Sequence, residues 1–85
     1  MTKNQIMQAV EDVLPVVWVD DVDQARTSIN QVNLCVYGES VSLIAGQKRS
    51  MFQIWGMEDL RSFQKELAWW VFRYGPAPVV TNVGA

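Results

Sequence analysis

Apolar positions recur at helical spacing at the start of the chain. Ile6, Val10 and Val13 stand at i, i+4 and i+7, and Met7 and Leu14 widen the stripe. The pattern predicts a helix over residues 4–14, with Thr2 and Gln5 at the spacing of a capping box. Pro15 pushes the residue before it out of helical geometry, so this helix should stop near Val13. Val16-Val17-Trp18-Val19 is β-branched and aromatic and reads as a short strand, broken by Asp20, Asp21 and Asp23. Residues 22–33 fit two descriptions. Val22, Ala25, Ile29 and Val32 suit a helix with Asp23 as its N-cap, whereas the Thr and Ile content favours a strand from about Thr27.

From residue 32 the period changes to two. Val32, Leu34 and Val36 alternate with Asn33, Cys35 and Tyr37, and after Gly38-Glu39 the alternation resumes with Val41, Leu43 and Ala45. That is a hairpin with one strongly apolar face. Residues 46–50 read as the next turn, and Met51 to Trp55 as a third strand with Phe52 and Ile54 pointing inward. Gly56 ends the sheet and N-caps a second helix, whose first turn carries Glu58 and Asp59 where the helix dipole favours acids. The helix runs to Tyr74 and stops at Gly75-Pro76. At about 100° per residue, Met57, Leu60, Phe63, Leu67, Ala68, Trp70, Val71 and Tyr74 fill one arc of roughly 160°. The predicted fold is α+β, a three-stranded antiparallel sheet flanked by two helices in the order α-β-β-β-α. Residues 1–75 form a single small domain. Residues 76–85 are an extended C-terminal tail in which Val79-Val80 either adds an edge strand or frays.

Composition narrows the chemistry. The 85 residues make at most one domain, and 49% apolar side chains against 19% charged ones argue for a folded chain. One cysteine, Cys35, excludes an internal disulfide, and the absence of histidine removes Ser-His-Asp, Cys-His and His-zinc chemistry. Glu11/Asp12 and Glu58/Asp59 are neighbours on helices and so point apart, which does not make a catalytic acid–base pair. Cys35 has no histidine to activate it. The run Asp20-Asp21-x-Asp23 lacks the spaced ligands of a calcium loop and reads as a solvated acidic turn that blunts an apolar strand. No apolar stretch approaches a membrane span, and no targeting segment is visible. The expectation is a cytoplasmic, non-enzymatic protein with no cofactor and no metal.

Charge is uneven along the chain. The net value is −2. Residues 1–23 carry one base against five acids, residues 24–50 three bases against one acid, and residues 51–85 three of each. An acidic total disfavours phosphate-rich partners.

Two features stand out as candidate contact surfaces. Trp69 falls opposite the apolar arc, among Glu58, Ser62, Lys65, Glu66 and Arg73, with Phe72 at the same margin. Either a tail or loop covers it, or it is an exposed anchor of the kind enriched at interface hot spots. The outer sheet face, with Cys35, Tyr37, Ile44, Met51, Gln53 and Trp55, is too apolar for plain solvent contact. Either the first helix or Val16–Val19 covers it, or it binds something.

The element order resembles that of double-stranded RNA-binding domains, but the start of the second helix, Gly56-Met57-Glu58-Asp59-Leu60, is acidic where that family is Lys-rich. The same order, size and acidity resemble small phage-encoded inhibitors, including anti-CRISPR proteins. That resemblance spans Thr2 to Tyr74 without a shared motif. It implies a compact protein that blocks a larger machine by surface contact. The leading expectation is therefore a protein–protein interaction module, an inhibitor or adaptor. Its anchors are Trp69, Phe72, Trp55 and Tyr37, and Asp20, Asp21 and Asp23 are its electrostatic component. The alternatives are nucleic-acid binding through the sheet-face aromatics with Lys48 and Arg49, and self-association as a homodimer.

Overall fold

Three turns of two residues each, Asn30-Gln31, Gly38-Glu39 and Gly46-Gln47, fold the middle of the chain into a meander. The first residue of each turn has a positive φ: +54° at Asn30, +57° at Gly38 and +63° at Gly46. Tight hairpin turns of the primed types demand that conformation, which glycine adopts freely and asparagine tolerates.

The computed structural model describes residues 1–75, so the predicted tail and its Val79-Val80 strand lie outside the described residues. Helix α1 spans Lys3–Glu11. The strands are β1 (Val19–Asp20), β2 (Gln24–Ile29), β3 (Val32–Tyr37), β4 (Ser40–Ala45) and β5 (Lys48–Gln53). Helix α2 spans Met57–Tyr74. The strands lie side by side in chain order, all antiparallel.

The fold is α+β with two helices, as expected, but the sheet has five strands rather than three. The Asn30-Gln31 turn splits the stretch expected as strand from Thr27 into β2 and β3, and two boundaries also move. The two-residue turn at Gly46-Gln47 places Lys48 opposite Ala45, so residues 48–50 are strand, not loop. Residues 24–29 pair along their whole length with β3, which makes them strand several residues earlier than Thr27. The remaining strand is β1, only Val19 and Asp20, set against Arg26 and Ala25. Val16 and Val17 do not pair in the sheet, and Asp20 belongs to the strand it was expected to break.

Helix α1 carries the full Thr2–Gln5 capping box. It ends at Glu11, short of Val13, and the Val13 and Leu14 amides both donate to the Val10 carbonyl. Helix α2 begins after Gly56, where the Asp59 carboxylate accepts from the Trp55 and Gly56 amides at 3.1 and 3.2 Å. Gly75, at φ +61°, closes it by donating a backbone hydrogen bond to the Val71 carbonyl.

Both helices pack on one face of the sheet. Ile6, Ala9 and Val10 of α1 and Leu60, Phe63, Leu67 and Trp70 of α2 share one buried cluster with Val32, Leu34, Val36, Val41, Leu43, Ala45 and Ile54. Burying each such side chain stabilises the fold by about 1.5–3 kcal/mol, so this single cluster is the main source of stability. Phe52 meets Phe63 edge to face, with ring centres 5.5 Å apart. Met57 and Ala68, placed in the α2 arc by periodicity, are exposed at the margin of the cluster.

Polar ties join the layers at their ends. Gln64 of α2 donates to the Ala9 carbonyl of α1 at 3.0 Å. Asn30, in the β2–β3 turn, donates to the Val71 carbonyl at 3.1 Å. Lys3 of α1 reaches Asp20 Oδ1 and the Asp21 carbonyl, both at 2.6 Å.

Candidate interaction surface

The period-two geometry of a strand sends alternate side chains to opposite faces. Since Ala25, Leu34, Val36, Val41 and Leu43 face the helices, their neighbours face away. The pairing register arranges those neighbours in rows across the sheet. One row is Val19, Arg26, Cys35, Ser42 and Met51. A second is Ser28, Asn33, Ile44 and Arg49, and a third is Gln24, Tyr37, Ser40 and Gln53.

Neither helix covers this face, and the segment Val16–Trp18 does not cross it. The apolar stripe of α1 is buried against the opposite side, which leaves no described element free to act as a lid. Large side chains therefore stand in solvent, with Met51 71%, Trp55 70% and Tyr37 61% exposed. Cys35 and Ile44 are half-buried between their neighbours.

The small side chains in the middle of the face leave a trough. One cavity of about 520 Å³ opens between Arg26, Ser28, Asn33, Cys35 and Ile44. A second of about 360 Å³ opens between Ile44, Ser42, Arg49 and Met51. Ile44 lines both, so the hollow on the Arg26 side and the hollow on the Arg49 side adjoin at this residue. Hydrogen bonds order the floor: the Ser28 hydroxyl donates to the Asn33 side-chain carbonyl, and the Cys35 thiol donates to Gln24 Oε1 at 3.4 Å.

Charge is segregated by this arrangement. The outward positions of β2 to β5 hold Arg26 and Arg49 and no carboxylate. Among the described residues neither arginine takes part in an ion pair. A chain with net charge −2 thus presents a locally cationic sheet face.

The residues singled out from sequence divide among three places. Tyr37 is exposed at one end of the open face, and Trp55 is exposed in the link between β5 and α2. Trp69 and Phe72 lie on the outer side of α2, across the protein from the sheet face, 52% and 86% exposed. The Arg73 guanidinium, one turn further along the same helix, lies 5.4 Å from the centre of the Trp69 ring. Asp20, Asp21 and Asp23 sit at the β1 edge of the sheet, and Asp20 is tied to Lys3. The structure does not bring the acidic turn together with either aromatic pair.

Arg26 is the residue that sequence reasoning missed. Its direction depends on whether residues 22–33 are helix or strand, and the alternation of Ala25, Thr27 and Ile29 carries that signal only once strand is chosen. Among the described residues no three His, Cys, Asp or Glu side chains cluster as metal ligands would. No described helix is long and apolar enough to cross a membrane. No family model, curated protein or solved structure matches this chain.

Proposed function

We propose that the protein is a non-catalytic protein–protein interaction module, an inhibitor or adaptor that acts on a larger protein by surface contact. The observation that carries this reading is the sheet face that no described element covers, on which Tyr37 and Met51 project from a hydrogen-bonded framework, with exposed Trp55 just beyond β5. Exposed aromatic and methionine side chains on a pre-formed surface offer area to a partner at low ordering cost. The size and acidity shared with small phage-encoded inhibitors accord with this mode of action. The outer side of α2, with Trp69 and Phe72, is the second contact area on the same reading.

Nucleic-acid binding is the competing reading, because the same face combines arginines with aromatic rings. Single-strand binding combines a positively charged groove that tracks the backbone with aromatic rings on which successive bases stack. Here Tyr37 stands at one end of the face and Trp55 just beyond β5, and the floor between the arginines is Ser, Asn, Cys and Ile.

The test is affinity capture from nuclease-treated lysate of the organism of origin, followed by reconstitution with the purified partner. Wild type is compared with Tyr37→Ala/Trp55→Ala and with Trp69→Ala/Phe72→Ala. The expected result is one stoichiometric protein, bound at least about thirtyfold more weakly by the Tyr37/Trp55 variant, the scale of a 2 kcal/mol hot spot. Recovery of nuclease-sensitive material alone, or a partner indifferent to both variants, would overturn the reading.

A further inference from the structure

From the charge and shape of the trough we infer that its occupant is an extended segment of the partner protein carrying two carboxylates four residues apart. The inference rests on the reading of the open face as a protein-binding surface and specifies the chemistry of what binds there.

Three observations lead to it. The first is electrostatic. Arg26 and Arg49 are exposed and unpaired among the described residues, on a face with no carboxylate of its own, so an anionic partner meets two guanidinium groups without competition. Arginine matches a carboxylate in a planar, two-point hydrogen-bonded pair, which orients the ligand as well as attracting it.

The second is spacing. Arg26 lies on β2 and Arg49 on β5, three strand intervals across and two residues along the sheet. With about 4.8 Å between strands and about 3.4 Å per residue, their Cα atoms are about 16 Å apart. An extended chain advances about 3.3 Å per residue and returns a side chain to the same face at every second one. Carboxylates at i and i+2 are then about 7 Å apart, a poorer match to about 16 Å that would require both arginines to lean inward. Carboxylates at i and i+4 are about 13 Å apart, and the flexible arginine stems span the remainder.

The third is the floor. Ser28, Asn33 and Ser42 offer hydrogen-bonding groups to a peptide backbone, and half-buried Ile44, directly across from Arg49, offers one apolar contact. An extended segment laid across the strands would place the side chain of its i+2 residue between the two carboxylates, with Ile44 on its Arg49 side. A small apolar residue is expected there.

The experiment uses the full chain and a defined probe. Fluorescein-labelled eleven-residue peptides carry two glutamates four residues apart with a central valine, or the same two glutamates adjacent, or glutamines in their place. A twelve-nucleotide oligo(dT) is the competing ligand class. Binding is read by fluorescence anisotropy at low ionic strength, and the site by backbone amide shifts in ¹⁵N-labelled protein.

The spaced peptide is expected to shift the amides of Arg26, Cys35, Ile44 and Arg49. It should bind at least fivefold more tightly than the adjacent-glutamate peptide, and lose at least tenfold in the Arg26→Gln/Arg49→Gln variant. Both arginines are exposed, so that variant should fold normally, and its circular dichroism checks this. Equal binding of the two glutamate peptides, shifts confined to α2, absence of any shift at millimolar peptide, or tighter binding of oligo(dT) at the same amides would each overturn the inference. If the captured partner depends on Tyr37 and Trp55 but not on the arginines, this inference falls while the interaction-module reading stands.

Discussion

The Thr27 hydroxyl donates to the Val17 carbonyl at 2.7 Å, and Thr27 is the one buried polar residue among the described core positions. This bond ties the segment before β1 to the sheet, although Val17 makes no ladder pair. Replacing Thr27 with valine keeps the shape and removes the donor. A net hydrogen bond contributes about 0.5–1.5 kcal/mol, so Thr27→Val should lower the unfolding free energy by about 1 kcal/mol in urea titration. Stability equal to wild type would show that water replaces the bond at no cost.

The Asp59 carboxylate serves two amides at the start of α2. Removing such a cap costs about 0.5–2 kcal/mol. Asp59→Ala should destabilise within that range, and Asp59→Asn, which keeps an acceptor, should lose less. Thermal unfolding followed by circular dichroism separates the two, and identical midpoints for the two variants would contradict the assignment.

Phe63 is fully buried and meets Phe52 edge to face. Truncation to alanine removes the transfer energy and leaves a cavity, which together cost about 3–5 kcal/mol. A chain of this size has little more than that in reserve, so Phe63→Ala should be largely unfolded at 37 °C. Phe63→Leu should remain folded with a lowered midpoint. A cooperative, native-like melt of Phe63→Ala would mean that the core closes around the gap.

Lys3 and Asp20 form a 2.6 Å ion pair, with the Asp20 side chain half-exposed. Pairs in that setting contribute about 0.2–1 kcal/mol and weaken with salt. Asp20→Asn should therefore shift stability by less than about 1 kcal/mol at low salt and by less still at 1 M sodium chloride. A larger loss that salt does not reduce would show that Asp20 holds β1 through its backbone geometry and not through charge.

Periodicity alone determined both helices, the β3–β4 hairpin and every inward position on those two strands. Each of those segments carries a full repeat of apolar residues, and a slip of one residue would turn the whole set to water. The Thr2 cap, the Gly56 start and the Gly75 stop were equally legible, since they act through local backbone bonds. Lys48-Arg49-Ser50 reads as a turn because it lacks an apolar residue, and only its register against Ala45, Ile44 and Leu43 makes it strand. Residues 24–29 are short and polar on alternate positions, so local propensity does not choose between helix and strand. Pairing with β3 chooses, and with it turns Arg26 outward.

The open face was decided by tertiary structure alone. The apolar pattern states that Tyr37, Met51 and Trp55 share a side, but not whether a helix lies over them. Both amphipathic helices needed the same sheet face to bury Ile6, Val10, Phe63 and Leu67, and one core of this size has room for both. That packing choice left Arg26 and Arg49 on a common, carboxylate-free surface, two residues 23 positions apart in sequence and on strands that do not touch.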